Sequence, residues 1–515
     1  MLDSAVKPVQ VFEDSEFQKA IFDCISKTNN NLLINAKAGS GKTTTIVRSL
    51  KLIPENQLTI FLAFNKDIVT ELKTRTPKHV YVATLHSWGW AEIKYRYGKN
   101  VILDKHKISK IIQRVIPTWG IEENEIESYA NRVEQIVDMM RFAMPTSREH
   151  VVELCEKYEI ELLNGEIDRA KEVLLIARAD TKTFDFVDQI YFPAWNPTFK
   201  CRKFKYVFID ECQDLNAMQH ALLKRLVDPN GGRLVAVGDP NQSIYGFAGA
   251  DVESFDKLRT LLPNTVELPL SFSYRCGRTI IEHSQQIVPT ILPSPTASEG
   301  CVREGSYKEV KDGDFVLCRN TRPLVSLCLK YIAEGRKATI KGGDIGKNLI
   351  NMIKKSKAQT QEPLFNALEK ERVKLVEKTK KMYPLKDAEK IPTVVNMTDK
   401  IDALKSIGLS CKTKSTSEMI SVIEGIFADD NTSGIVLSTM HKSKGLEADN
   451  VFIIEAQLIP AVYATQEWQR VQESNLEYVA RTRAKKNLIY VSDFISGDER
   501  MMKFLKAAVS QKLAA

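Results

Sequence analysis

Lys42 and Thr43 stand directly after two glycines, in the run Ala36-Lys37-Ala38-Gly39-Ser40-Gly41-Lys42-Thr43. A cation, a hydroxyl and flexible backbone at this spacing suit the binding of a polyphosphate. Gly39 and Gly41 let backbone N–H groups wrap phosphate oxygens, and a helix opening at Lys42 adds a favourable field for anions. The Lys42 ammonium can reach the β- and γ-phosphates, and the Thr43 hydroxyl can ligate Mg²⁺. Ala38, Gly39, Ser40, Gly41, Lys42, Thr43 and Thr44 are therefore candidate nucleotide contacts. Ala36 stands where the strict pattern has glycine, so the match is to a variant. A second chemical pair follows the apolar run Tyr206-Val207-Phe208-Ile209, which ends in Asp210-Glu211. Asp210 is suited to hold Mg²⁺, directly or through water, and Glu211 to orient and deprotonate an attacking water. Two acids after a strand are common by chance; the upstream loop gives the pair its meaning.

These groups need a scaffold that delivers them to one place. Short apolar runs at Leu32–Asn35, Gln57–Phe64, Val80–Thr84, Phe204–Asp210 and Arg233–Gly238 read as buried strands. Helical segments separate them, and that alternation predicts a parallel α/β sheet with ligands at the carboxyl ends of its strands. A second α/β unit is expected after Phe272, with strands at Asp314–Cys318, Gly434–Ser438, Val451–Ile454 and Leu488–Val491. Residues 96–183 carry amphipathic helical patterns such as IESYANRVEQIVDMMRF and REHVVELCEKYEIELL, and read as a helical insertion. A Lys-rich stretch interrupts the second unit near 346–432. Its charge run reads as a solvated helix face in preference to a dedicated DNA contact.

Composition bounds the class. The 515 residues are 43% hydrophobic and 27% charged, which is ordinary globular composition, and the length suggests more than two domains. The formal net charge of +8 permits a nucleic-acid partner without establishing one. The nine cysteines are scattered without a CxxC pair, which points to reduced thiols rather than disulfides or zinc. The first residues lack an apolar core of the signal-peptide kind, and no stretch approaches a membrane span. The expectation is a soluble intracellular protein, cytoplasmic or nucleoid-associated, with no membrane partner.

The motifs, taken in order, resemble those of superfamily 1 helicases of the UvrD/Rep/PcrA type. Asp210-Glu211-Cys212-Gln213-Asp214 resembles that family's DExQD box, and Gly238-Asp239-Pro240-Asn241-Gln242-Ser243-Ile244-Tyr245-Gly246-Phe247 resembles its GDxxQSIYGWRGA motif. Further matches are Gln18 in FQKAI, Phe64-Asn65-Lys66, Thr84-Leu85-His86-Ser87, Phe184-Asp185-Phe186, Ser273-Tyr274-Arg275, Arg319-Asn320, the run from Ser438 to Glu447, and Tyr478-Val479-Ala480-Arg481-Thr482-Arg483-Ala484. Each is weak alone; the ordered set spans nearly the whole chain. The phrasing around NKDIVTELKTRTPKHVYVATLHS is closest to the F-box DNA helicase branch, with no F-box apparent. The resemblance implies that Gln18 hydrogen-bonds adenine, that Tyr274 stacks on it, and that Glu447 lies near the ribose. It implies that Arg275 and Arg483 reach the γ-phosphate from the second domain, with Arg481 as the positional rival, and that Gln242 senses that phosphate. A guanidinium suits such a task because its planar fork stays charged. For DNA it implies base stacking on Phe64 and Phe247, with Asn65, Thr84, His86, Thr439 and His441 beside the strand. For Phe64 the competing reading is core packing, and Trp88 and Trp90 are assigned to packing. Phe247-Ala248 replaces the family's usual Trp-Arg, Ala448 stands where an aromatic is common, and the second insertion is shorter than the family's regulatory one. With about thirty residues after Arg483, no appended nuclease domain is expected.

The expected architecture is α/β: two RecA-like P-loop domains with parallel sheets, each carrying an inserted, mainly helical subdomain. The first domain takes 1–95 and 184–272 around the insertion 96–183. The second takes 273–345 and 433–515 around a reduced insertion, 346–432. The expected activity is that of an ATP- and Mg²⁺-dependent helicase on single-stranded DNA and tailed or forked duplexes, with 3′-to-5′ movement implied by resemblance and replication or repair proteins as companions. Two rivals share these motifs: a DNA-stimulated ATPase that strips proteins from single strands, and a nucleotide-switched scaffold with little turnover. RNA remains open as the polymer, because stacking platforms accept either.

Overall fold

The computed structural model describes residues 13–123, 125–158, 160, 162, 165–244, 246, 253–383, 387–427, 434–497 and 502–514. Two compact units are present. The first comprises residues 1–37, 41–240 and 245–271; the second comprises 38–40, 241–244 and 272–515.

Strands of the first unit are β1 (Asn31–Ala36), β2 (Thr59–Ala63), β3 (Val80–Thr84), β4 (Ile102–Leu103), β5 (Thr183–Phe184), β6 (Tyr206–Ile209), β7 (Arg233–Gly238) and β8 (Thr265–Leu270). Six of them form one sheet in the order β3-β2-β6-β7-β1-β8, with every neighbouring pair parallel. β2 and β7 are buried along their whole length, which is why they read as unbroken apolar runs: both faces are covered. The helix Lys42–Leu50 turns Ile46, Val47 and Leu50 onto a core that also holds Leu32, Ile34 and Val235. Because the strands are parallel, the segments after β1, β2, β3, β6 and β7 all leave from one edge of the sheet.

The stretch expected to be a helical insertion contains helices Lys107–Val115, Ile126–Ala143, Arg148–Lys157 and Glu166–Ala179. β4 and β5 bracket it as a two-stranded parallel pair. Its base is pinned by a buried charge network. Arg141 donates to Asp185 at 2.6 Å and faces Asp188 at 3.4 Å, while Lys107 donates to Asp188 at 2.7 Å. Asp185 and Asp188 also cap each other's backbone, Asp188 N–H donating to Asp185 and Asp185 N–H to Asp188. That reciprocal pairing fixes the turn that carries Phe186.

The second unit holds β9 (Phe272–Ser273), β10 (Leu292–Pro293), β11 (Cys301–Gly305), β12 (Phe315–Cys318), β13 (Ala338–Lys341), β14 (Ile435–Thr439), β15 (Ala448–Ile453) and β16 (Ala484–Val491). Its main sheet runs β11-β16-β15-β12-β14-β13, again parallel throughout. Between β13 and β14 lie helices Gly343–Ser356, Gln361–Met382, Pro392–Ser410 and Thr416–Ile426. Val373 on the Lys-rich second of these is exposed, and buried Leu364 and Leu368 face inward, the pattern of an amphipathic surface helix. Among the described residues no helix is long and apolar enough to cross a membrane.

Removing one member of the buried network leaves charge without a partner in low dielectric. Arg141→Met is expected to destabilise the first unit by about 3–5 kcal/mol, read as a lowered urea midpoint. A loss below about 1 kcal/mol would show that Asp185 and Asp188 do not depend on the arginine.

Candidate functional site

The phosphate-type loop folds as its glycines require. Gly39 and Gly41 both take left-handed backbone, at φ 71° and 77°, a region that glycine enters without steric cost. Gly41 caps the helix Lys42–Leu50 with no side-chain hydrogen bond, so the first N–H groups of the helix are not satisfied by a capping side chain. A side chain at Gly39 would meet the Arg275 Cβ at 2.6 Å and the Ser273 Oγ at 2.7 Å; all three residues belong to the second unit. Within that unit the Gly39 carbonyl accepts from Tyr274 N–H at 2.9 Å, and Ala38 N–H donates to the Tyr478 hydroxyl at 3.0 Å. Ser40 is buried and its hydroxyl has no hydrogen-bond partner among the described residues, an orphan that an incoming phosphate oxygen would satisfy. Lys42 and Thr43 are half-buried and Thr44 is exposed.

The carboxylates sit after β6, two strands from β1 with β7 between. Asp210 is buried, and the Thr43 hydroxyl lies 3.3 Å from its Oδ2. Burial, reinforced by the charge of Glu211, raises the Asp210 pKa to about 6, and nearby Lys42 opposes the rise. A buried acid raised by a second acid is the environment a hard cation relieves. Among the described residues no group of three or more His, Cys, Asp or Glu could hold a metal. One carboxylate and one hydroxyl fit Mg²⁺ all the same, because that ion takes few protein ligands and completes its shell with phosphates and water.

Glu211 occupies left-handed backbone at φ 51°, a conformation that costs a non-glycine residue energy and clusters at functional sites. Its carboxylate accepts from Gln213 Nε2 at 2.5 Å, and Gln213 Oε1 accepts from Asp239 N–H at 3.0 Å. Gln213 thus ties the acid after β6 to the loop after β7. The fit is close: a Cβ at Gly238 would stand 2.4 Å from Gln213 Oε1 and 2.7 Å from Cys212 Sγ. Sequence reasoning singled out Gly238 and Gln213 only as motif members; their packing is a tertiary fact.

Lys37 was not among the sequence candidates. It is buried beside the loop, its ammonium 3.0 Å from Asn35 Oδ1, and burial lowers its pKa against the raising influence of Asp239 and Glu267. Gln18 has an immediate local task. Its Oε1 accepts from Ser15 N–H in a capping box and its Nε2 donates to Thr45 Oγ1 at 3.2 Å.

In the second unit Arg483 is buried among carbonyls. Its Nε donates to Val479 O at 2.9 Å and its Nη1 to Leu446 O at 3.2 Å. Burial first, then the charge of Arg275, lowers its pKa to about 10, which leaves it charged at neutral pH. Arg481, the positional rival, is engaged by Glu477 at 2.7 Å and by the His283 carbonyl and Gln286. Arg275 donates from Nε to Glu447 at 2.6 Å, so Glu447 is engaged by an arginine of the same unit. The backbone carbonyl of Gln242 accepts from Lys444 Nζ at 2.8 Å within the second unit, and the Gln242 side chain is buried.

A second set gathers after β2 and β3. Phe64 is 54% exposed, which removes core packing as its explanation. Asn65 caps the helix Lys66–Arg75 and Thr84 caps Leu85–Tyr97, so both polar candidates have structural work at helix starts. Because Ala63 pairs with Thr84 in register, Phe64 and the Thr84-Leu85-His86 turn leave the sheet side by side. His86 stacks on Phe186 with ring centroids 3.9 Å apart and planes at 19°. Phe186 is itself 58% exposed. The motif Phe184-Asp185-Phe186 was visible in the sequence, and the exposure of its last ring was not. Trp88 is buried, and Trp90 packs edge-on to Phe184. Phe247 lies outside the described residues. Thr439 and His441 follow β14 in the second unit; Thr439 is buried and its hydroxyl accepts from Lys442 N–H at 3.4 Å.

Comparison with known proteins adds independent findings. Residues 16–263 match the UvrD/REP helicase N-terminal domain, and residues 434–491 match the UvrD-like helicase C-terminal domain. The chain is similar to F-box DNA helicase protein 1 of Schizosaccharomyces pombe, at 23% identity over 92% of this chain and 56% of that protein. It is similar to ATP-dependent DNA helicase PcrA of Staphylococcus aureus, at 24% identity over 52% of this chain and 39% of that protein. ATP-dependent DNA helicase Rep of Buchnera aphidicola is 24% identical over 52% of this chain and 42% of its own length. The chain therefore spans between 39% and 56% of the length of these relatives.

His86 and His441 are neutral at physiological pH. Burial lowers the pKa of His86 to about 4; burial, with the charges of Arg319 and Lys442, lowers that of His441 to about 3. Unfolded rings titrate near 6.5, so each ring withdraws stability as pH falls from there towards its folded value. In a ring-proton NMR titration both signals should stay at their neutral positions down to about pH 5. A midpoint near 6.5 for either ring would contradict this environment.

Proposed function

The chain belongs to the UvrD-like helicase family, and from that membership we propose that it is an ATP-dependent DNA helicase moving 3′-to-5′ along single-stranded DNA. The observation that carries the catalytic part is the Asp210-Glu211 pair: a buried acid against the Thr43 hydroxyl, and beside it an acid held by Gln213 in left-handed backbone. On this reading Asp210 and Thr43 hold Mg²⁺, which when bound neutralises charge on the β- and γ-phosphates. Ala38, Gly39, Ser40, Gly41, Lys42, Thr43 and Thr44 bind the nucleotide, with Lys42 drawing in the phosphates. Glu211 orients the attacking water and takes its proton, and Gln213 keeps the carboxylate in that pose. Gln18 and Tyr274 serve the adenine, Gln242 registers the γ-phosphate, and Arg275 and Arg483 supply guanidinium charge to the transferring phosphoryl group.

For the polymer, the reading assigns base stacking to Phe64 and, beyond the notice of its motif, to the Phe186–His86 stack. Asn65, Thr84, Phe247, Thr439 and His441 complete the proposed contact set. Exposed rings suit a motor that must accept any base, because every base offers a π-face. Segments 1–95 with 184–272, and 273–345 with 433–515, are assigned as the two motor domains, and 96–183 and 346–432 as their insertions.

Glu211→Gln should bind ATP with nearly unchanged affinity and lose turnover by about 10²–10⁴-fold. Near-normal steady-state hydrolysis by this variant would remove Glu211 from its role. For the motor itself, duplexes with a 3′ or a 5′ single-stranded tail should be separated only from the 3′ tail. Separation from the 5′ tail would reverse the polarity. DNA-stimulated hydrolysis that displaces a bound protein but separates neither duplex would establish the protein-stripping translocase instead.

A further inference from the structure

Two cations of the second unit converge on one carboxylate. Glu447 Oε2 lies 2.6 Å from Arg275 Nε, and its Oε1 lies 2.8 Å from Lys485 Nζ. Arg483 stands next to them, donating to the carbonyl of Leu446, the residue before Glu447. The parallel register of β15 with β16 brings this about: Ala448 pairs with Ala484, so the residue before one strand meets the second residue of the other. Backbone bonds lock the frame, since Ala448 N–H donates to Arg483 O at 3.1 Å and Gly277 N–H to Lys485 O at 2.8 Å.

Arg275 is thereby held at two of its three guanidinium nitrogens. Nε is taken by Glu447 and Nη1 donates to Thr482 O at 3.3 Å. Nη2 has no partner among the described residues. A free arginine side chain samples many rotamers, and two fixed donors remove most of that freedom before any anion arrives. The carboxylate could not do this as well alone, because a lone flexible glutamate would itself wander; Lys485 takes up its second oxygen.

We propose that Glu447 and Lys485 are positioning residues for Arg275: Lys485 anchors the Glu447 carboxylate, which grips Arg275 by Nε and presents Nη2 to the phosphate. This rests on the proposed ATPase reading and differs from a ribose contact by Glu447, which family resemblance implies. All three side chains are partly exposed, and ion pairs of that kind contribute little to stability. The variants should therefore fold, and the role is read in kinetics.

The test is steady-state ATP hydrolysis in the presence of single-stranded DNA. Glu447→Gln should lower kcat about 10- to 100-fold with KM changed less than about threefold. Lys485→Met should lower kcat in the same sense by about three- to tenfold, and Lys485→Arg should recover most of that loss. In an Arg275→Lys background, which lacks Nε, Glu447→Gln should add less than about a twofold loss. With 2′-deoxy-ATP and 3′-deoxy-ATP the Glu447→Gln penalty should equal that seen with ATP. A penalty that disappears with the deoxyribose nucleotides would overturn the proposal in favour of a ribose contact. Full additivity with Arg275→Lys, or wild-type kcat in Lys485→Met, would also overturn it. Absence of hydrolysis by the unaltered chain would overturn the ATPase reading itself, so the two failures are distinguishable.

Discussion

Asp210 is buried at the end of a central strand with a second acid next to it, and its neighbours in the first unit are arranged around that difficulty. Burial and the Glu211 charge both oppose its ionisation. Relief comes from the Thr43 hydroxyl and from the field of Lys42, two groups delivered by the helix that opens after β1. The parallel sheet makes this meeting unavoidable. Strands that all run the same way deliver all their following segments to one edge, and the order β2-β6-β7-β1 puts the acids between an exposed phenylalanine and the glycine loop.

Gln213 extends the same constraint sideways. With one end of its amide on Glu211 and the other on Asp239 N–H, it couples the carboxylate to the segment that leads to Gln242. The coupling is stiff because Gly238 has no room for a side chain. A shift of the loop after β7 would therefore be felt at Glu211. The helices between β4 and β5 contribute differently, through a network of two cations and two buried acids whose reciprocal caps fix the turn bearing Phe186.

The strands that could be read from the sequence include fully buried ones such as Arg233–Gly238 and the edge strand Val80–Thr84, whose Tyr81 is exposed. Val80–Thr84 and Arg233–Gly238 were legible to the residue, and the apolar runs around Ile34, Phe61 and Phe208 were legible within a residue or two. Three strands of the two main sheets escaped: Thr265–Leu270, Cys301–Gly305 and Ala338–Lys341. All three are edge strands of their sheets. An edge strand pairs on one side only, so Thr265–Leu270 and Cys301–Gly305 can carry Glu267, Pro269, Arg303 and Glu304 without losing their place, and periodicity then has little to detect in them. The two-residue strands Ile102–Leu103, Thr183–Phe184, Phe272–Ser273 and Leu292–Pro293 are too short to leave a pattern at all.

By itself the sequence determined the identities and order of the chemical groups: the glycine loop with Lys42 and Thr43, the paired acids after an apolar strand, and the ordered motifs that mark the family. Those signals are local, since a loop, a strand and its first polar residues are written within a dozen positions. Tertiary structure alone decided which groups are engaged and by whom. It committed Arg481 to the His283 carbonyl, left Arg483 beside Arg275, set Phe186 on His86, and closed Lys485, Glu447 and Arg275 into one chain of charge. Such pairings depend on strand register and helix packing between residues far apart in the chain, and no spacing along a single sequence encodes the distance between them.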